Sequence, residues 1–474
     1  MKNILHLIVL TVFIVSNVKA QINTDSQNRL NSLKITKTTP YKIWDVCFVQ
    51  KGDFTELYKI PNHPAFDSLL TQDVEQRLLK EINIRRRELN RDTLLTSDYF
   101  YVWKPYFDWL RNEDPHYRIT TVASAPSDEL RSELAKNFKK QKRPPFQIYS
   151  INDSIVIRTS YEDCFKKGDL ILSINNIPMS EYAKYYYNDT YSQINGYLLN
   201  YNFELASNTF DVKVLRENRE ENIKTEGKSM NELSRLSSIP EEYDPTIYSD
   251  ANCGYIQIKA FYSDNSRLIK IITKEIKAFK NKGIKNVIID IRRNPGGSGD
   301  RFDDLLSIFI NKPTIDYMKG QKLRVSQEVL KDYDFLTVDM IGRNIEIPDK
   351  YITKSIKLDN RKFIDGLNYY VLISGNTGSV AASFANIMQY NGIAIIAGEP
   401  LLRNAVKYGE TVRGKPLSYT LLLETGISTM EFDEYTKAID GVLYPDIHIP
   451  YVASEYMTGK DAVLEKLLTI IKNK

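Results

Sequence analysis

The sequence predicts a multidomain α/β protein with a helical N-terminal region, a β-rich module of short strands and an α/β core. Three observations predict it. Apolar residues recur at helical spacing from about Phe66 to Leu110. Short alternating runs bounded by turn residues fill the stretch from Pro145 to Glu217. From Asn252 onward, strand-like and helix-like segments alternate. With 474 residues the chain can build several cores. It divides into residues 1–20, 21–144, 145–217, 218–250 and 251–474.

Residues 1–20 read as a secretory signal peptide. Lys2 gives a positive start, Ile4 to Ser16 is almost continuously apolar, and Val18 and Ala20 stand where a signal peptidase reads, before Gln21. The apolar run is short for a membrane span. The expectation is an exported protein, periplasmic or extracellular, without stable membrane insertion. A net charge of +4, spread along the chain with no basic stripe, argues against a nucleic-acid partner. Cys47, Cys164 and Cys253 are too far apart for a disulfide framework or a metal motif. The histidines after residue 20 are His63, His116 and His448. None stands in a metal-ligand spacing, so no metal or organic cofactor is expected.

In the N-terminal region, Leu69, Leu70, Val74, Leu78, Leu79 and Ile82 mark one helical face. A second helix is expected from Tyr99 to Leu110, stopped where Pro115 forces a turn. The module that follows centres on CFKKGDLILSINNIPMSE, residues 164–181. A Gly-Asp turn leads into an alternating strand, then an Asn-Asn turn, then a Pro-opened helix. The stretch resembles a PDZ domain, which implies an exposed sheet edge that takes up an extended peptide around Gly168–Ser173. Residues 218–250 are polar, with Pro240 and Pro245, and read as a linker. In the core, Gly254–Ile258 reads as a strand, Arg267–Asn281 as an amphipathic helix, and Asn286–Arg292 as a buried strand.

Two corners of this core carry candidate chemistry. The buried strand runs into DIRRNPGGSGD, residues 290–300. Glycines there permit close approach of a substrate, and free backbone N–H groups can stabilise an oxyanion. Such a stretch also serves as an ordinary tight turn. The second corner is GNTGSVAASFA, residues 375–385, after the apolar run YYVLIS. A serine opening a helix lies where the local dipole favours developing negative charge. Ser379 there is a nucleophile or an N-cap, and Thr377 is a second candidate for the cap.

The order of GYIQI, VIIDIRRNPGG, GSVAASFA, Gly398-Glu-Pro400 and Tyr444-Pro-Asp-Ile447 resembles that of the tail-specific, or C-terminal-processing, serine peptidases. The resemblance implies a crotonase-like ββα peptidase core, a polypeptide substrate and a PDZ module. It puts the nucleophile on Ser379 and the oxyanion hole on the N–H groups of Gly296, Gly297 and Val380. One branch of the family takes a lysine as base after the Gly-Glu turn. Asn404 stands at that place here, and Lys407 lies three residues on as the alternative base. The tricorn-like branch takes a histidine from the N-terminal region of the core, in an Asp/Ser/Gly-His run, and Asp114-Pro-His-Tyr117 resembles that signature. A neutral imidazole accepts the serine proton near pH 7 without a large shift, so His116 is the preferred base. Asp440 is the preferred orienting acid, with Glu434 nearby. Two departures stand out. Ala382 replaces the glutamate often found three residues after the serine, and Leu401-Leu-Arg403 replaces Thr-Gly-Gly. The reading is an exported serine endopeptidase of the tricorn-like type; the alternative is an inactive peptide-binding relative on the same scaffold.

Overall fold

A computed structural model of the chain describes residues 63–89, 96–121, 142–151, 154–180, 208–237, 245–413 and 423–474. The signal-peptide reading of residues 1–20, and Cys47, lie outside the described residues.

The N-terminal helices are α1 (Gln72–Leu89) and α2 (Thr96–Glu113). Leu78 and Ile82, one turn apart, bury the inner face of α1. The chain then turns through Asp114–Tyr117 into strand β1 (Arg118–Thr121).

The β-rich module is one antiparallel sheet. Its strands are β2 (Phe146–Ile151), β3 (Ser154–Ser160), β4 (Leu170–Ile174), β5 (Thr209–Arg216) and β6 (Arg219–Glu226), in the spatial order of their numbers. Inward residues Ile148, Ile157, Ile171, Phe210, Val212 and Val214 form its core. Two sequence expectations are corrected here. The first part of the expected linker is a strand instead, because β6 pairs with β5 along its whole length, from Thr209↔Glu226 to Arg216↔Arg219; residues 238–244 lie outside the described residues. Glu217 and Asn218 have φ of 48° and 63°, the two-residue hairpin conformation that joins twisted strands. Nor is Gly168–Ser173 a free edge. Leu170–Ile174 lies inside the sheet, paired to β3 at Val156 and to β5 at Val212–Leu215. The edges are β2 and β6.

The α/β core is built on β7 (Cys253–Gln257), helix α3 (Ser266–Asn281), β8 (Asn286–Asp290), β9 (Met318–Arg324), β10 (Asn368–Ile373), helix α4 (Val380–Tyr390) and β11 (Ala394–Gly398). It continues through β12 (Tyr408–Arg413), β13 (Leu423–Glu434), β14 (Ile447–His448) and helix α5 (Ala462–Lys472). Strands β7, β8, β10, β11 and β14 lie side by side in that order and run parallel. Both faces are covered, as a parallel sheet requires. Val287, Ile289, Val371 and Ile373 pack with α3 and α4. Ile288, Tyr370 and Leu372 pack with α5 and with Tyr149, Ile151 and Val156 of the β-rich module. Each fully buried aliphatic side chain contributes about 1.5–3 kcal/mol. The module and the core therefore share a hydrophobic interior.

A buried charge cluster fixes α5 to the end of β8. Arg292 donates to Asp290 (2.7 Å) and to both oxygens of Asp461 (2.9 and 2.6 Å). Asp461 also caps α5 through the Leu464 N–H. A second sheet places β13 between β12 on one side and β1 and β9 on the other. Arg118 of β1 pairs with Gly426, so the segment just after His116 is a strand of the core.

Candidate active site

Strand β10 ends in a turn that is tied to the end of β8. Ser374 Oγ donates to the Arg292 carbonyl (2.7 Å), Thr377 Oγ1 to the Ile291 carbonyl (2.9 Å), and the Gly378 N–H to the Asn294 carbonyl (3.0 Å). Thr377 is thus spent on the neighbouring strand and does not cap α4. Ser379 occupies the N-cap position with φ 51° and ψ −128°, and its side chain makes no capping hydrogen bond. The residue is half-buried at the tip of α4. A β-carbon in this backbone region is strained, and such strain concentrates at functional sites.

The glycine turn packs directly on this serine. Gly296 has φ 102°, and a Cβ on it would lie 2.5 Å from the Ser379 Cβ. Gly297 has φ 130°, and a Cβ there would meet the Phe261 carbonyl at 1.9 Å. Only glycine fits either place. The three expected oxyanion donors divide. The Gly296 N–H is already donated to Asn294 Oδ1 at 2.9 Å, so it is not free for an oxyanion here. Among the described residues the N–H groups of Gly297 and Val380 have no hydrogen-bond acceptor. Beside them, Asn294 Nδ2 and both polar atoms of the Asn376 side chain are buried without partners.

His116 lies against the core. Its backbone N–H and its Nδ1 both reach Asp114 Oδ1, at 2.8 and 3.0 Å. A carboxylate only accepts, so Nδ1 carries a proton, and in the neutral ring Nε2 carries the lone pair. Nε2 is buried and, among the described residues, has no hydrogen-bond partner. The second Asp114 oxygen is 3.2 Å from His63 Nε2. Burial by itself would raise the Asp114 carboxyl; the hydrogen bonds from His116 and His63 outweigh it and hold the group well below the usual carboxylate range. His63, which carried no role in the sequence, completes a buried His–Asp–His cluster. Nothing local in the sequence marks it, because it stands 51 residues before its partner.

Asn404, at the place of the lysine of the other branch, holds this corner in position. Its Nδ2 donates to the Glu113 carbonyl at 2.7 Å. Lys407 points elsewhere: Nζ is 3.3 Å from Glu431 and lies over the Tyr408 ring. Asp440 is exposed on a turn with φ 49°, and the carboxylate on His116 is that of Asp114. Glu434 is buried one helical turn beyond Ser379, 3.5 Å from Ser383 Oγ and 3.4 Å from Asn386 Nδ2. Burial pushes its carboxyl up to about 8, against the lowering effect of the Ser383 hydrogen bond. Among the described residues no helix is long and apolar enough to cross a membrane.

Residues 252–449 match the model of Peptidase family S41. The carboxy-terminal processing protease CtpA of Bacillus subtilis is 34% identical over 95 residues, 19% of this chain and 19% of that protein. A probable CtpA-like serine protease of Staphylococcus epidermidis is similar to the same extent, 34% over 95 residues and 19% of each chain. The matched stretch thus spans about a fifth of the length of these curated relatives. Among solved structures, mature CPAF is similar with a TM-score of 0.57 at 13% identity, covering 88% of this chain and 95% of that one. CPAF complexed with lactacystin gives 0.54 at 14% identity, covering 95% and 97%. These structures share the fold over most of the chain. The family match includes the glycine turn and Ser379, so residues 252–449 are similar to Peptidase family S41, and the relatives that match include a carboxy-terminal processing protease.

Proposed function

We propose that this protein is an exported serine endopeptidase that cleaves polypeptides or protein C-terminal tails. Ser379 Oγ attacks the scissile carbonyl, and its proton moves to His116 Nε2. Asp114 holds the ring by Nδ1 and faces the positive charge that the imidazolium gains. The oxyanion forms against the Gly297 and Val380 N–H groups, at the positive end of α4. His116 then returns the proton to the leaving amine, and water repeats the cycle on the acyl-enzyme. The observation that carries this reading is a serine at an N-cap position that does not cap, held in a strained backbone against glycine. The apolar run and cleavage signature of residues 1–20 support export. The β-rich module, with its PDZ-like sequence, is the proposed holder of the substrate tail, through one of the sheet's two edges rather than through Gly168–Ser173.

A fluorophosphonate tests the nucleophile. Mass spectrometry should find the adduct on Ser379 and none on a Ser379→Ala variant. An adduct on Ser383, or no adduct on folded protein, would sink the assignment and favour a binding protein on the same scaffold.

A further inference from the structure

We propose that His63 is a positioning residue for this reaction: it binds the second oxygen of Asp114 and so fixes that carboxylate beneath His116. The proposal rests on the reading of His116 as base. The tautomer of His63 follows from its contacts. The Ala65 backbone N–H donates to His63 Nδ1 at 3.1 Å, so Nδ1 carries the lone pair. The proton is then on Nε2, which donates to Asp114 Oδ2 at 3.2 Å. His63 is a neutral donor and the charge of the cluster stays on Asp114. Each carboxylate oxygen has its own imidazole, and all three side chains are buried.

The place is built from several sides. The His63 ring lies 4.6 Å, centroid to centroid, from that of Tyr408 on β12. The next residue is pinned as well, because Asn344 Nδ2 donates to the Pro64 carbonyl. An apolar side chain here would leave Asp114 Oδ2 desolvated and unpaired. The carboxylate would then rotate or draw in water, and His116 would lose its fixed tautomer. During catalysis one proton passes from Ser379 Oγ to His116 Nε2. His63 passes none, since its Nδ1 already accepts from Ala65.

Two substitutions in the full chain separate positioning from packing. His63→Gln keeps an N–H donor and loses the ring; His63→Phe keeps a ring against Tyr408 and loses the donor. The readout is kinact and KI for a fluorophosphonate at Ser379, measured on the folded fraction. A folding defect then lowers yield without changing the rate. His63→Gln should stay within a few-fold of wild type. His63→Phe should lose about 10–100-fold in kinact, the usual cost of removing a group that orients a catalytic one, with KI little changed. A Phe variant as reactive as the Gln variant, equal loss in both, or an effect on KI alone would overturn the proposal. His116→Ala is run beside them. Unchanged labelling there refutes the base reading itself. Loss there with a fully reactive Phe variant refutes only the role of His63.

Discussion

Ser379 holds φ 51° and ψ −128°, a region that a β-carbon enters at a cost of about 1–3 kcal/mol. Function and stability should therefore separate at this residue. Ser379→Gly releases the strain but adds backbone freedom to the unfolded chain, worth about 0.5–1 kcal/mol. Ser379→Ala keeps the strain. Both variants should be inert, and the glycine variant should be the more stable by about 1 kcal/mol in denaturant unfolding. An alanine variant that unfolds later would mean that the conformation carries no strain. Glu434 supplies a pH test. Its folded carboxyl is raised to about 8 by burial, whereas an unfolded glutamate titrates near about 4.3. Between those values the native protein keeps a proton that the unfolded chain has released. Stability from this group is thus fully present below about 4.3, falls as pH rises, and levels off above about 8. Glu434→Gln removes the titration. Its stability relative to wild type should improve steadily across that window; a gap independent of pH would show that Glu434 titrates normally.

At the scale of elements, the module and the core meet at a turn with no room to spare. A Cβ on Gly168, where φ is 100°, would lie 2.5 Å from the Met457 carbonyl. Gly168→Ala should cost about 1–3 kcal/mol in unfolding free energy, through both the backbone and this contact. A neutral effect would mean that the module is only loosely docked. For the same reason, removing residues 145–217 would strip Tyr149, Ile151 and Val156 from the interior shared with α5. Much of the fold was legible in the sequence. Helix α3 announced itself through Leu268, Ile272, Ile276 and Phe279, and β8 through a continuous apolar run. Strand β6 was not legible: as an edge strand it reads REENIKTE, with too little apolar surface to show its period, and its Glu217–Asn218 turn lacks the usual glycine. The interior place of β4 depends on β5, some 35 residues further on, which no local pattern reveals.

Across the whole molecule, the proposed site draws on three distant stretches: the glycine turn after β8 and the tip of α4, which pack on each other, and the His63–His116 corner, which the proposed mechanism requires beside them. The strained turns of the first two were visible in sequence because they sit beside their glycines. The acid on His116 was not read correctly, since Asp114 looked like part of a turn and Asp440 like a distant partner. It is Asp114 that bonds to His116, because the turn folds the carboxylate back on its own neighbour but one. Oxyanion binding at Gly296 was misjudged because Asn294 takes that N–H, a side-chain contact invisible to motif order. In the proposed mechanism His116, and no lysine, activates Ser379. The most direct measurement is the rate of fluorophosphonate labelling at Ser379 in wild type, His116→Ala and Lys407→Ala. Loss of a general base costs about 10²–10⁴-fold, so His116→Ala should fall by that order while Lys407→Ala labels at nearly the wild-type rate. Wild-type labelling in His116→Ala, or its collapse in Lys407→Ala, would contradict the account.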